Sequence, residues 1–392
     1  MPATNPFEYG RELNPDELVD RAGDVDAVAA AMQRPGKLFL IGPRRFGKTS
    51  IIRAAEDRVT AKGGVVLRYD AEAFTSVELL AGRILADTAT RLTSTVERAT
   101  LAMRDFFAGV RPTATYSATD NKWSVSLAGT AGRETGAPLL ADVLNGVERA
   151  AVKARKTVAI VIDEFQQVVA NGGRDAEAQI RASIQRHRRV GYVFAGSATR
   201  LLADMTSDPK RPFYKLGDVR VIGALPRPDF ATFLTAGFRS ARIRVEPGAV
   251  DAILELAEEV PYNVQMLAHE CWVRCREASP ASALTAALVR DTRDRAALRY
   301  DPIYTQLWSA LPPAQQKALL ALLRERGADG GGAGLLSADV TRRYHIGTST
   351  MQKSLEALTS KGILREDPAL AESRLRIEDP LFAAWVELVV PR

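Results

Sequence analysis

Cysteine and histidine are almost missing from this chain, with two of the first and three of the second among 392 residues. Both cysteines lie in one short stretch, "HECWVRC", where Cys271 and Cys275 stand four residues apart. On a helix that spacing puts them on one face and leaves little room for a disulfide framework. Adding His269 gives three potential ligands, short of a closed zinc site, so two reduced, partly buried thiols are expected. Long apolar runs are missing as well. Nothing approaches the ~18 consecutive apolar residues that span a bilayer. The opening "MPATNPFEYG" has neither the basic region nor the apolar region of a secretory leader. A cytoplasmic chain with no membrane association is expected. Internal repeats and long low-complexity tracts do not occur.

The composition that is present is globular, 46% hydrophobic and 26% charged, and the length suits about two or three domains with a sizeable core. The net charge is +6 and the pI near 9.3. Such a balance admits a nucleic-acid or acidic-protein partner without demanding one.

The most informative stretch is "LFLIGPRRFGKTSII", Leu38 to Ile52. A short apolar run ending in glycine reads as a buried parallel strand, and the residues from Thr49 onward have a helical pattern. Between them lies G-x-x-x-x-G-K-T, the phosphate-loop pattern. Gly42 and Gly47 permit backbone angles that let successive N–H groups surround a phosphate, and the start of the following helix favours the same anion. Gly42, Pro43, Arg44, Arg45, Phe46, Gly47, Lys48, Thr49 and Ser50 are therefore the candidate nucleotide cradle. Lys48 is assigned to the β- and γ-phosphates and Thr49 to Mg²⁺.

A second anchor is "KTVAIVIDEFQQVV". Val158 to Ile162 is a continuous apolar strand ending in Asp163-Glu164. Downstream of a phosphate loop, that pattern assigns Asp163 to Mg²⁺ through water and Glu164 to activation of an attacking water. "VGYVFAGSATRLL" reads as a further buried strand ending at Gly196-Ser197, with Ser197 the candidate contact to the γ-phosphate or the water. Strands are also expected at Gly63 to Phe74 and Val219 to Pro226. Helices are expected from Asp24 to Met32, from Val77 to about Phe107 and from Leu139 to Ala154. Strands alternating with helices imply a parallel sheet covered on both faces. Thr113 to Ser117 and Lys122 to Leu127 look like a β-hairpin insertion around Asp120-Asn121. From Arg227 to about Tyr304 the pattern is helical. Helices at Ala314 to Arg326, Ser337 to Tyr344 and Thr348 to Lys361, with "GILRED" and "SRLRIED" around a turn at Pro368, make a winged helix-turn-helix pattern.

Two nucleotide-using classes are disfavoured. Guanine recognition usually requires N-K-x-D, and "DNKWS" has Ser124 where the aspartate belongs. The H-R-D and D-F-G set of protein kinases is missing.

The segments "NPFEYGRELNPDELVDR", "GPRRFGKTS", "IVIDEFQ", "FAGSATRLL", "PYNVQMLAHECW" and "IEDPLFAAWV" together resemble the prokaryotic AAA+/STAND-type P-loop ATPases, particularly the archaeal-ATPase family. They span nearly the whole chain. The resemblance implies an α/β fold with a five-stranded parallel-sheet core, a helical lid and a C-terminal winged helix, in a plan similar to origin-recognition ATPases. It implies residues 1–36 as an adenine-side strap and helix, with Phe7, Tyr9 and Arg21 in the strap. Residues 37–226 would be the core, 227–305 the lid and 306–392 the winged helix. ATP or ADP with Mg²⁺ would be the cofactors. The lid motif of such proteins resembles Gly-x-Pro; "EEVPYNVQ" has Glu259 in place of the glycine and retains Pro261. No sensor arginine is evident in the lid, and Arg211 is the candidate arginine finger of a nucleotide-dependent homo-oligomer.

Three functions share these motifs: an ATPase switch, a nucleotide-held scaffold of slow or no turnover, and a DNA-binding regulator gated by the core. Arg174, Arg181 and Arg188 recur every seven residues and would share one helix face, a surface for DNA, for an acidic partner or simply for solvent. In the expected recognition helix, Leu355 and Leu358 would face the core, while Thr348, Ser349, Gln352 and Lys353 would meet duplex DNA or a protein partner.

Overall fold

The computed structural model describes residues 4–13, 18–92, 112–117, 122–127, 137–197, 199–278, 283–325, 332–367 and 374–391. They form two compact units, one of residues 14–222 and the other of residues 1–13 with 223–392.

The first unit opens with α1 (Ala22–Gln33), followed by β1 (Lys37–Ile41), α2 (Lys48–Ala61), β2 (Val65–Asp70) and α3 (Val77–Leu92). An antiparallel pair, β3 (Pro112–Ser117) and β4 (Lys122–Leu127), sets Tyr116 opposite Trp123 and so bears out the two expected strands. Its Asp120-Asn121 turn lies outside the described residues, as does the part of the expected helix beyond Leu92. Next come α4 (Ala137–Ala154), β5 (Val158–Asp163), α5 (Gln166–Ile184), β6 (Val190–Gly196), α6 (Thr199–Ser207) and β7 (Asp218–Val221). The sheet order is β2-β5-β6-β1-β7, with every neighbouring pair parallel. β5 and β6 are buried at every residue and β1 at all but its first, which is why they read as unbroken apolar runs rather than alternating ones. Phe39 and Ile41 pack with α3, α4, α5 and Phe213 in one core. Leu38 and Leu40 turn to the opposite face, the side of α1 and α2. β7 is an edge strand, and it is shorter than expected. Its partner β1 ends at Ile41, so Ile222 N donates the last bond, 2.7 Å to Ile41 O, and pairing stops.

The second unit holds α7 (Arg227–Ser240), β8 (Arg244–Val245), α8 (Ala249–Leu256), α9 (Pro261–Ala278), β9 (Ala283–Leu284), α10 (Ala286–Arg299) and α11 (Asp301–Ser309). A winged helix follows: α12 (Pro313–Arg324), α13 (Ala338–Arg343), α14 (Thr348–Ser360), the antiparallel pair β10 (Leu364–Asp367) and β11 (Arg374–Ile377), and α15 (Pro380–Val389). The turn expected at Pro368 lies outside the described residues. Leu355 and Leu358 of α14 are buried in this core, as expected. The "EDPLFAAW" segment docks it. Asp379 accepts from Leu381 N (3.0 Å), capping α15, and from the Tyr304 hydroxyl (2.8 Å), while Trp385 Nε1 donates to Asp301 (2.7 Å). Cys271 and Cys275 are buried free thiols, and burial pushes Cys271 up to about 12. Among the described residues, no metal-ligating cluster occurs and no helix is long and apolar enough to cross a membrane.

Candidate active site

The site is built where β1, β5 and β6 end. After Ile41 the chain curls back before α2 begins at Lys48. Arg45 (φ 68°) and Gly47 (φ 87°) both take left-handed angles to make this curl. Glycine carries no penalty there, and a β-branched residue in its place would be a genuine outlier. Phe46 is buried and anchors the loop. Arg44 is exposed and pairs with Glu72 at 2.6 Å. Pro43 and Ser50 are buried, and Arg45 is exposed.

Lys48 is only 5% exposed. Its Nζ donates to Gly42 O (2.8 Å) and Pro43 O (3.0 Å), so the ammonium is held inside the curl. The first turn of α2 adds backbone amides without intrahelical acceptors and the positive end of the helix dipole. An anion is the ligand that such a lining suits.

Asp163 ends β5, 9% exposed, and its Oδ2 accepts from the Thr49 hydroxyl at 3.1 Å. Burial raises the Asp163 carboxyl above its ordinary range, and the Lys48 charge offsets this only in part. A hydroxyl and a carboxylate in contact are a hard-oxygen donor pair. They suit Mg²⁺, which takes one or two protein oxygens and completes its shell with water and phosphate.

Glu164 follows with φ 49°, a strained angle for this residue. Its backbone N donates to Asp163 Oδ1 (3.0 Å). Its carboxylate is gripped at a single oxygen. Ser197 N (3.2 Å), Ser197 Oγ (2.7 Å) and the Gln166 side-chain amide all donate to Glu164 Oε2. Burial alone would lift this carboxyl, but the bonds from Gln166 and Ser197, with the Lys48 charge, outweigh it and hold the group below the usual range. Gln166 had no role in the sequence reading. The only trace was the glutamine two places after the acid in "IDEFQ".

The structure thus brings Lys48, Thr49, Asp163, Glu164 and Ser197 together. Arg21, the residue before α1, lies against the phosphate loop: it is buried, pairs with Asp24 at 3.2 Å and reaches Phe46 O at 3.5 Å. Other expectations need correction. Phe7 offers no face to a ligand. It is wholly buried in the second unit, 4.7 Å from Phe238 and 6.0 Å from Phe233 between ring centroids. Tyr9 stands edge-on to Tyr262 and His269, and Pro261 opens α9. Arg211 is not presented as a finger, because both arms of its guanidinium are held by the fully buried Glu177. Arg174, Arg181 and Arg188 do not form one face. α5 breaks at Gly173 (φ 67°, ψ −169°) and ends at Ile184, before Arg188, and Arg181 is tied to the carbonyls of Pro212 and Tyr214. At the lid motif, Glu258 (φ 54°) and Glu259 (φ 56°) both occupy the left-handed region that a glycine would favour.

No protein-family model matches the chain, and no curated protein matches it. Among solved structures it is similar to the Walker-type ATPase PABY2304 of Pyrococcus abyssi, with TM-score 0.62 and 15% identity over 97% of this chain and 99% of that one. It is also similar to the ORC2 protein of Aeropyrum pernix, solved as ADPNP-ADP complexes, with TM-score 0.52 and 16% identity over 98% of this chain and 97% of that one. At such identities the likeness is one of fold. The fold is a five-stranded parallel-sheet P-loop core with a helical lid and a C-terminal winged helix.

Proposed function

We propose that the chain is a Mg²⁺-dependent ATPase switch, with residues 37–226 as its core, 227–305 as its lid, 306–392 as its winged helix and 1–36 as the N-terminal strap and helix. The observation that carries this reading is the convergence, where β1, β5 and β6 end, of a buried lysine inside a phosphate loop, a hydroxyl–carboxylate pair and a second carboxylate. Lys48 neutralises the β- and γ-phosphates and holds them in line. Thr49 and Asp163 would hold Mg²⁺, which supplies charge neutralisation between the same phosphates. Glu164 orients the attacking water and accepts its proton, and Ser197 steadies that carboxylate. Positioning and charge do most of the work in such a transfer, so the rigidity of the site is the main requirement.

A slow-turnover variant of this reading has its own support. A carboxylate held by three donors is a weak base, so turnover at the low end of the ATPase range fits the geometry. The winged helix would be the output, through the exposed face of α14 that carries Ser349, Gln352 and Lys353.

Calorimetry with Mg²⁺–ATP tests the assignment. Lys48→Ala is expected to lose ATP binding while its circular dichroism stays that of the parent chain. Glu164→Gln should bind ATP as before and lose roughly 10²-fold in single-turnover rate. Unchanged affinity in a folded Lys48→Ala chain would sink the phosphate-loop assignment. Parental turnover in Glu164→Gln would leave that acid structural.

A further inference from the structure

We infer that Gln166 is a positioning residue for hydrolysis, acting through Glu164 by fixing which of its two carboxylate oxygens faces the reacting water. The inference rests on the ATPase reading above.

Three observations carry it. The first is the one-sided grip on Glu164. Every hydrogen bond that a described residue donates to this carboxylate arrives at Oε2, two from Ser197 and one from Gln166. An oxygen with three donors has no capacity left for a water proton, so Oε1 alone can accept one. A carboxylate held only by Ser197 would pivot about that contact. The amide of Gln166, a further donor from another residue, stops the pivot.

The second is where Gln166 stands. It is the first residue of α5, and the turn before it is set by the left-handed Glu164 and by Phe165 N donating 2.8 Å to Ala195 O on β6. That bond ties the acid's turn to the strand that carries Ser197. The two residues that donate to Oε2 therefore come from segments tied to each other, and the chain between Glu164 and Gln166 is a single residue. A side chain at the start of a helix, 9% exposed and turned back on the acid two residues earlier, is held in an unusual place.

The third is that the surroundings are shaped to this amide. Gln166 Oε1 is buried and has no hydrogen-bond partner among the described residues. It lies flush against Gly196, where an added Cβ would come within 2.3 Å of it. The orientation of the amide is not in doubt chemically, because only its NH₂ can meet an ionised carboxylate. A side chain at Gly196 would displace the amide, so the glycine that ends β6 leaves the room in which the NH₂ reaches Glu164.

The test is a double-mutant cycle on the full chain with Gln166→Leu, Glu164→Gln and the pair, reading single-turnover rate, ATP affinity and thermal midpoint. Gln166→Leu is expected to lower the rate roughly 10- to 100-fold, with ATP affinity and midpoint those of the parent. In the Glu164→Gln background it should cost nothing further, because the group it positions is already gone. Gln166→Asn, which retains an NH₂ but on a shorter arm, should recover part of the rate. A Gln166→Leu chain that turns over at the parental rate overturns the inference. So does an equal further loss in the Glu164→Gln background, which would make the glutamine an independent contributor. A parent chain that binds no ATP, or binds and never hydrolyses it, brings down the ATPase reading and this inference with it. That outcome is distinct from an active parent with an indifferent Gln166.

Discussion

His187 shows how one residue can carry a pH dependence far from any reaction. It lies three residues before β6, at the opposite end of the sheet from the site, and is 6% exposed. Its Nδ1 meets the Tyr192 hydroxyl at 2.7 Å and its Nε2 meets Asn145 Oδ1 at 3.0 Å. The carbonyl of Asn145 can only accept, so Nε2 carries a proton, and in the neutral ring Nδ1 accepts from the Tyr192 hydroxyl. Burial lowers its pKa to about 4; Glu148 opposes this, and Lys37, Arg186 and Arg149 add to it. An unfolded histidine titrates near 6.5. Between about 4 and 6.5 the unfolded chain therefore binds the extra proton. The contribution is fully present above the unfolded value, falls as pH drops through that window and levels off below it. Its ceiling is about 3 kcal/mol. Carboxylates titrate in the same range, so the comparison must be with His187→Gln, which cannot take the proton. Urea midpoints at pH 7.5 and 4.5 should differ more in the parent than in the variant. Equal pH dependence in both would mean that the histidine is not held neutral. Its counterpart at the other end of the sheet is Glu164, where three donors keep a carboxylate charged against burial.

At the scale of elements, the winged helix is fastened to the lid by a charge pair. Arg365 on β10 donates from Nη2 to Glu258 at 2.9 Å, and both side chains are 7% exposed. Glu258 precedes Glu259, whose carboxylate is held by Arg227 at the start of α7 (2.7 Å). Two arginines from distant segments thus hold two consecutive left-handed glutamates immediately before α9. Arg365→Met should destabilise the chain by about 3–5 kcal/mol, because it takes the paired charge away from a buried carboxylate. Adding Glu258→Gln should restore most of that loss. Urea denaturation of the two single variants and the double decides it, and a cost under about 0.5 kcal/mol for Arg365→Met would mark the pair as no more than a surface contact. This latch had no sequence signal, since its partners are 107 residues apart and neither the lid motif nor the expected strand says that the two meet. β1, β5 and β6 were legible for the opposite reason. Burial on both faces writes itself into consecutive residues, and the phosphate loop has a fixed spacing that local geometry demands. The arginine repeat misled because a seven-residue count says nothing of a break at Gly173 or of a helix that stops at Ile184. Phe7 misled because an aromatic near a nucleotide motif has the same appearance whether it stacks or anchors.

At the scale of the whole molecule, the chain passes between its two units twice, at 13/14 and at 222/223. The phosphate loop belongs to one unit and the winged helix to the other, so a switch requires that nucleotide in the first alter binding by the second. Duplex DNA is the partner to test, because the chain carries +6 and α14 exposes Ser349, Gln352 and Lys353. Phosphate contacts would supply most of the affinity, so binding must weaken steeply with salt. The lysines of this helix are not equivalent. Lys361 Nζ is engaged with Gln315 Oε1 at 2.8 Å, whereas Lys353 is exposed on the face itself. Lys353→Ala should flatten the salt slope by about one unit, and Lys361→Ala should change it little. Gln352 shares a 3.1 Å bond with Glu356 on the same face, so Gln352→Ala should alter sequence preference rather than slope. Coupling is then read by linkage. Whatever factor separates DNA affinity in ATP from that in ADP must reappear, by thermodynamic necessity, as the factor by which DNA changes the preference of the protein for ATP over ADP. Titrations in both directions, with Lys48→Ala as the chain that cannot respond, give the two factors independently. Two equal factors well away from one establish the switch. DNA binding with both factors at one leaves a DNA-binding ATPase whose units do not communicate. No binding by the parent chain at low salt in either nucleotide turns the exposed face of α14 over to a protein partner.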